Sequence, residues 1–351
     1  MEAVYLSQPI VSPKNDATSI IGDARWIPSH LNRDRTEIQF VWLPRETQAT
    51  MSFLADQYLR DAAAPEAWLK LEEVRVNAAD RSNAAHYIFH SAFCCSTLLA
   101  RAVDLPGTAI GLREPQIVNE LAALMRARSL TGEMLQSIAG LLARPFGPDE
   151  SVIIKPSNEA NILAEPLLQL NEQAKAVLLY APLRRFLGSV QRKGMWGRIW
   201  GRRLFALLRR DPGPDFGFTD AQLFEQTDLQ VSAMAWLLQH YQFAGLATRY
   251  PGRVAMLDSE TLLARRADCL AQVGKHLGLR LDAAGWARVA DSDIFAQHSK
   301  EIGRAFTPEK ESTDSPTSID EEIGMVCTWA EAVASQVGLT LEPSPAARIQ
   351  P

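Results

Sequence analysis

His86-Tyr87-Ile88-Phe89-His90-Ser91-Ala92-Phe93-Cys94-Cys95-Ser96-Thr97-Leu98-Leu99-Ala100-Arg101-Ala102 passes through three kinds of chemistry in seventeen residues. His86 to Phe89 is a short aromatic and β-branched run, the composition of a strand. His90 to Thr97 is polar and small, ending in a hydroxyl pair. Leu98 to Ala102 then continues as a helix. Strand, small-residue loop, hydroxyl pair and helix is the plan of a phosphate-binding loop. The first N–H groups of a helix lack partners within it and carry the positive end of its dipole, so an anion docks there. Ser96 and Thr97 would add hydroxyl donors, and the competing assignment for them is a plain helix cap.

Working outward, three more apolar runs end in polar residues. Ser151-Val152-Ile153-Ile154-Lys155 leads into Pro156-Ser157-Asn158. Ala174 to Tyr180 leads into Ala181-Pro182, and Arg253 to Asp258 closes on an acid. A weaker run, Thr108 to Leu112, precedes Arg113-Glu114-Pro115. Apolar strands alternating with helical patterns predict an α/β fold, three layers of α/β/α with a mainly parallel central sheet. Ligands in such sheets lie beyond the carboxyl ends of the strands, which puts Ser91, Ser96, Lys155, Ser157, Asn158 and Asp258 on the ligand side.

Flanking segments divide the chain. Residues 1–80 read as a small N-terminal α/β extension, with a strand at Ile38 to Leu43 and a helical pattern from Pro44 toward Leu59. Residues 81–305 form the main domain. Residues 306–351 hold a last helix, Ile319 to Gln336, and a loose Pro- and Ala-rich end from Leu341.

Composition narrows the class. The 351 residues are 47% hydrophobic and 22% charged, which excludes a wholly disordered chain. Thirty-six Lys and Arg against 41 Asp and Glu give a net charge of −5, against a generally basic nucleic-acid binder. The N-terminus lacks the basic start and apolar run of a signal peptide, and no run is long enough for a spanning helix. Cys94, Cys95, Cys269 and Cys327 form neither a CxxC pair nor a zinc spacing. A cytoplasmic location is the expectation.

Four segments resemble the bacterial branch of the P-loop sulfotransferases. Phe89 to Leu99 is similar to the family's phosphosulfate loop, which commonly ends Gly-Ser-Thr-Leu-Leu. Ile154-Lys155-Pro156-Ser157-Asn158 resembles its Leu-Lys-Thr/Ser-Pro strand end. Leu179 to Val190 resembles the segment that binds the 3′-phosphate. Tyr250 to Arg253, Leu257 to Leu262 and His276 to Leu279 echo its late strand, acidic-Leu and Leu-Gly-Leu series. Together they span roughly residues 86–305.

The resemblance implies sulfuryl transfer from 3′-phosphoadenosine 5′-phosphosulfate (PAPS) to an acceptor hydroxyl or amine, with no metal. It implies cofactor binding by Ser91, Cys94, Cys95, Ser96, Thr97, Leu98, Arg184, Ser189, Ser299 and Lys300. Glu114 is the candidate base for the acceptor proton, and Lys155 or His90 would stabilise the leaving phosphate. For each a plainer role competes: a salt bridge with Arg113 or a cap before Pro115 for Glu114, a surface cation for Lys155, a satisfied turn for His90. The family has Lys or Arg where Phe93 stands, Gly where Cys95 stands, and Arg where Tyr180 stands. Two other functions therefore stay open. One is a degenerate, non-catalytic P-loop protein that binds or regulates a partner. The other is a P-loop transferase using a nucleoside triphosphate, weakened by the absence of GxxxxGK[ST].

Gln191 to Arg210 is the other conspicuous stretch. It holds Arg192, Lys193, Arg198, Arg202, Arg203, Arg209 and Arg210 with no acid, among Met195, Trp196, Trp200, Leu204, Phe205 and Leu207. Trp196, Trp200, Leu204 and Leu208 recur every fourth residue, the spacing of one helical face. A lid over an anionic ligand, a docking face for an acidic partner or an anionic membrane surface, and a solvated covering helix all fit this pattern. Nucleic acid fits less well, since no motif for it is present.

Overall fold

The computed structural model describes residues 16–78, 84–295 and 317–350. Strands β1 (Trp26–Leu31), β2 (Glu37–Trp42) and β3 (Glu66–Lys70) form an antiparallel sheet in that order. Strands β4 (Ala85–His90), β5 (Ala109–Arg113), β6 (Ser151–Lys155), β7 (Ala176–Tyr180) and β8 (Val254–Asp258) form the main sheet. Its order is β5-β6-β4-β7-β8 and every pair is parallel, with helices flanking it as a three-layer α/β/α arrangement.

Burial explains the pairing. All five residues of β5 and all five of β7 are buried, as expected of strands covered on both faces. After β4 the chain crosses to β5 and β6 on one side, and later to β7 and β8 on the other. The strand order therefore reverses at β4, where open α/β sheets form their ligand crevice. The register pairs Arg113 with Lys155 across β5 and β6, so the residues following those strands emerge side by side.

The smaller sheet is fastened to the β5 side by buried cations. The Arg113 Nε donates to the Met51 carbonyl at 3.0 Å, and the Leu54 N–H donates to the Arg113 carbonyl at 2.7 Å. Arg144 donates to the carbonyls of Ile20 and Asp23 at 2.8 and 2.9 Å. These bonds correct one expectation: the helical pattern from Pro44 does not run unbroken to Leu59. It splits into Arg45–Thr50 and Asp56–Asp61, because the carbonyls of Gln48 and Met51 turn to the Arg113 guanidinium.

The last helix is Thr317–Gln336. The end of the chain differs from its loose expectation. Ile349 is buried and donates its N–H to the Met256 carbonyl at 2.8 Å, so the tail lies along the outer edge of β8. An edge strand exposes unpaired backbone groups, and this segment covers some of them. Among the described residues no helix is long and apolar enough to cross a membrane.

Candidate functional site

The turn after β4 is built from left-handed backbone. Ala92, Phe93 and Cys95 have φ of +67°, +50° and +61°, and none is glycine. Cys95 caps the helix Ser96–Ala102 in this conformation, without a side-chain cap bond. Left-handed residues with a Cβ cost of order 1–2 kcal/mol each and persist where the surroundings over-determine them. Turns of this kind aim successive N–H groups into a concavity suited to anions.

The surroundings that hold this turn are visible. The Ala92 N–H donates to His90 Nδ1 at 3.1 Å, so Nε2 carries the ring hydrogen and donates to the Pro156 carbonyl at 3.1 Å. Ser91 donates its N–H to the Leu179 carbonyl at 3.1 Å, and its Oγ accepts from the Ala181 N–H at 3.2 Å. Asn161 donates to the His90 carbonyl at 3.0 Å, and Gln239 to the Ser91 carbonyl at 3.4 Å. The Cys94 thiol lies beneath the turn against the Leu179 carbonyl, 3.3 Å away, and burial pushes its pKa up. A thiol in that state is a small packing group rather than a nucleophile. Ser96, Thr97 and Leu98 form the buried first turn of the helix.

Next to the turn lies an ion pair. Glu114 follows β5 with φ of +50°, and its N–H donates to the Lys155 carbonyl at 2.6 Å. That backbone reversal returns the carboxylate over the sheet edge, where it accepts from the Lys155 ammonium. Lys155 is fully buried, which removes the surface-cation alternative. Its ammonium also lies over the Phe53 ring, 5.6 Å from the centroid. The nearest Glu114 oxygen is 4.0 Å from His90 Nε2. Arg113 is bound to Asp104 at 2.9 Å, so the competing Arg113–Glu114 bridge does not form. The three candidate catalytic residues thus meet at the carboxyl ends of β4, β5 and β6. His90 has both ring nitrogens against backbone groups, and in the free protein it braces the turn.

The cofactor candidates farther along the chain are not gathered here. Arg184 is exposed, 3.8 Å from Asp320 on the last helix. Ser189 accepts from Arg192 at 2.9 Å within its own helix, Leu183–Arg192. Ser299 and Lys300 lie outside the described residues. The two departures from the family's cations are apolar contacts. Phe93 packs on Trp200 and Phe186, with ring centroids 4.9 and 5.9 Å away. Tyr180 meets His240 edge-on at 5.2 Å, and burial pushes its phenol up.

Several supports escaped the sequence reading. Asn161, Gln239 and Phe53 are among them, as is Trp236, whose Nε1 donates to the Ala181 carbonyl at 2.8 Å. The available signal for Gln239 was its position directly after the apolar run Met234 to Leu238. A buried amide in such a run needs a specific partner. A separate cavity of about 1020 Å³ is lined by Met125, Glu165, Tyr241, Gly245, Arg249 and Thr340, among others, and contains none of the candidate residues.

Among solved structures, the chain is similar to a sulfotransferase domain from the curacin biosynthetic pathway. The two are 13% identical with a TM-score of 0.46, over 75% of this chain and 100% of that domain. No protein-family model matches the chain, and no curated protein sequence matches it.

Proposed function

We propose that the chain is a sulfotransferase-like enzyme in which the turn Ser91 to Cys95 and the helix start Ser96 to Leu98 hold the phosphosulfate end of PAPS. The observation that carries this reading is buried Lys155 paired with partly exposed Glu114 beside a left-handed turn, at the point where the strand order reverses. PAPS would supply an activated sulfuryl group and a nucleotide leaving group.

The chain's own residues divide the work. N–H groups of the turn and the hydroxyls of Ser96 and Thr97 bind the anion. Glu114 takes the proton from the acceptor hydroxyl or amine as its bond to sulfur forms. Lys155, released from that pair, faces the negative charge that gathers on the leaving phosphate as its oxygen–sulfur bond breaks. The 3′-phosphate is the less well provided end, since Arg184 and Ser189 are engaged elsewhere and Tyr180 offers no charge.

A transfer assay with PAPS and panels of phenol, alcohol and amine acceptors tests the reading. Glu114→Gln should lower turnover by about 10²- to 10⁴-fold while nucleotide affinity changes little. Unchanged turnover in that variant removes Glu114 from the chemistry. The second reading, a binding protein without catalysis, is favoured by Phe93 and Tyr180, because both usual cation positions are built into aromatic packing. It predicts no nucleotide binding and no transfer to any acceptor.

A further inference from the structure

The helix Gly194–Leu208 turns two different faces to its surroundings. Its inner face is Gly197, Gly201, Leu204, Phe205 and Leu208, all buried. Its outer face carries apolar side chains where solvent would favour polar ones: Met195 is 78% exposed, Trp196 59% and Ile199 44%. This corrects the expectation of one shared apolar face. The stripe at every fourth residue starts outside at Trp196, is half-buried at Trp200, and reaches the core at Leu204 and Leu208.

Cations surround the outer cluster. Lys193, Arg198 and Arg203 are exposed, and among the described residues no carboxylate lies within ion-pair distance of them. Arg202 and Arg209, by contrast, are taken up by Asp228 and Asp220. The exposed face is therefore both apolar and positive, within a chain of net charge −5.

We infer that this face docks on an anionic phospholipid surface, with Met195, Trp196 and Ile199 entering the interface and Lys193, Arg198 and Arg203 meeting the headgroup phosphates. Charge complementarity selects an anionic occupant. The aliphatic side chains choose among anions, because Met195 and Ile199 gain nothing from stacking on bases but gain from leaving water at a bilayer interface. Trp favours the same depth. The inference stands on this helix alone and does not depend on the reaction proposed above.

Co-sedimentation of the full chain with phosphatidylcholine vesicles, with and without phosphatidylglycerol, tests it. Binding should require phosphatidylglycerol and fall with added salt. The Arg198→Gln/Arg203→Gln variant should bind at least about tenfold more weakly at low salt. Met195→Ser/Trp196→Ser should lose binding while staying folded with a melting temperature only slightly below the parent's, since both side chains are exposed and the stacking of Trp196 on Trp200 is what the fold gives up. Equal binding to neutral and anionic vesicles, or none to either, overturns the inference. So does a concentration-dependent dimer without lipid that Trp196→Ser abolishes, which assigns the face to a second copy. Binding of single-stranded RNA in place of vesicles assigns it to nucleic acid and also overturns it.

Discussion

At the scale of single residues, the site depends on side chains placed where the backbone is least comfortable. Ala92 has a φ of +67° and a methyl group, so glycine there should remove strain. Glycine also loosens the unfolded chain, which offsets part of that gain. Ala92→Gly is expected to stabilise the protein by about 1 kcal/mol, read as a higher midpoint in urea. A lower midpoint would mean that the methyl group is packed rather than strained. Glu114 shows the same economy, since its φ of +50° returns the carboxylate to Lys155. The sequence allowed Glu114 a bridge to Arg113 or a role as base. Arg113 reaches Asp104 instead, nine positions earlier, and Glu114 pairs with Lys155. Contacts of that kind leave no periodic trace in a sequence.

Among the elements, the helices on the β7 side set how close the basic helix lies to the turn. A Cβ added at Gly201 would stand 2.0 Å from Ser232 Oγ, and one at Gly197 would stand 2.2 Å from the Val190 carbonyl oxygen. These glycines let the basic helix approach its neighbours closely enough for Trp200 to reach Phe93. Gly201→Ala should therefore cost roughly 1–3 kcal/mol in urea unfolding, and adding Ser232→Ala should recover part of it. No cost in the single variant would mean that the two helices are not in this contact. On the long helix Asp228–Arg249, burial lowers the pKa of His240 from 6.5 to about 4, against a weaker raising effect from the Leu341 backbone. The unfolded chain then binds this proton more readily than the folded one. His240 thus stabilises fully above its unfolded pKa of 6.5, and that stability drains away as pH falls toward about 4. His240→Phe keeps a ring against Trp236 and should reduce the stability lost between about pH 7.5 and about pH 5 by roughly 2 kcal/mol. His86, also lowered to about 4 by burial, and His276, lowered by burial as well, would retain part of the acid response. An identical loss in the variant would contradict a buried, neutral His240. The strands of the parallel sheet and β2 were legible, because apolar runs bounded by polar residues need only local sequence; β1 and β3 were not read. The break after Thr50 and the docking of Ile349 were not legible, since each depends on a distant group, Arg113 in one case and the Met256 carbonyl in the other.

For the molecule as a whole, the parallel sheet and its reversal at β4 bring together groups that lie far apart in the sequence. His90, Glu114 and Lys155 come from three strand ends; the parallel-sheet pattern put Lys155 on the ligand side, and His90 and Glu114 were candidates through the resemblance. Their mutual distances were beyond that reasoning. So was the fate of the Leu179 to Val190 segment, whose Arg184 turns to the last helix and whose Ser189 stays with Arg192. On the proposed function, the turn after β4 is an anion site for an adenylate-type nucleotide despite Phe93 and Tyr180. Calorimetric titration with the desulfonated nucleotide, 3′-phosphoadenosine 5′-phosphate, tests this most directly, using the parent and the Ser96→Ala/Thr97→Ala variant with and without magnesium. Binding is expected to be micromolar, to need no magnesium and to weaken at least about tenfold in the variant, through loss of two hydroxyl bonds to a charged group. Absence of binding to the parent, or equal affinity in parent and variant, would contradict it.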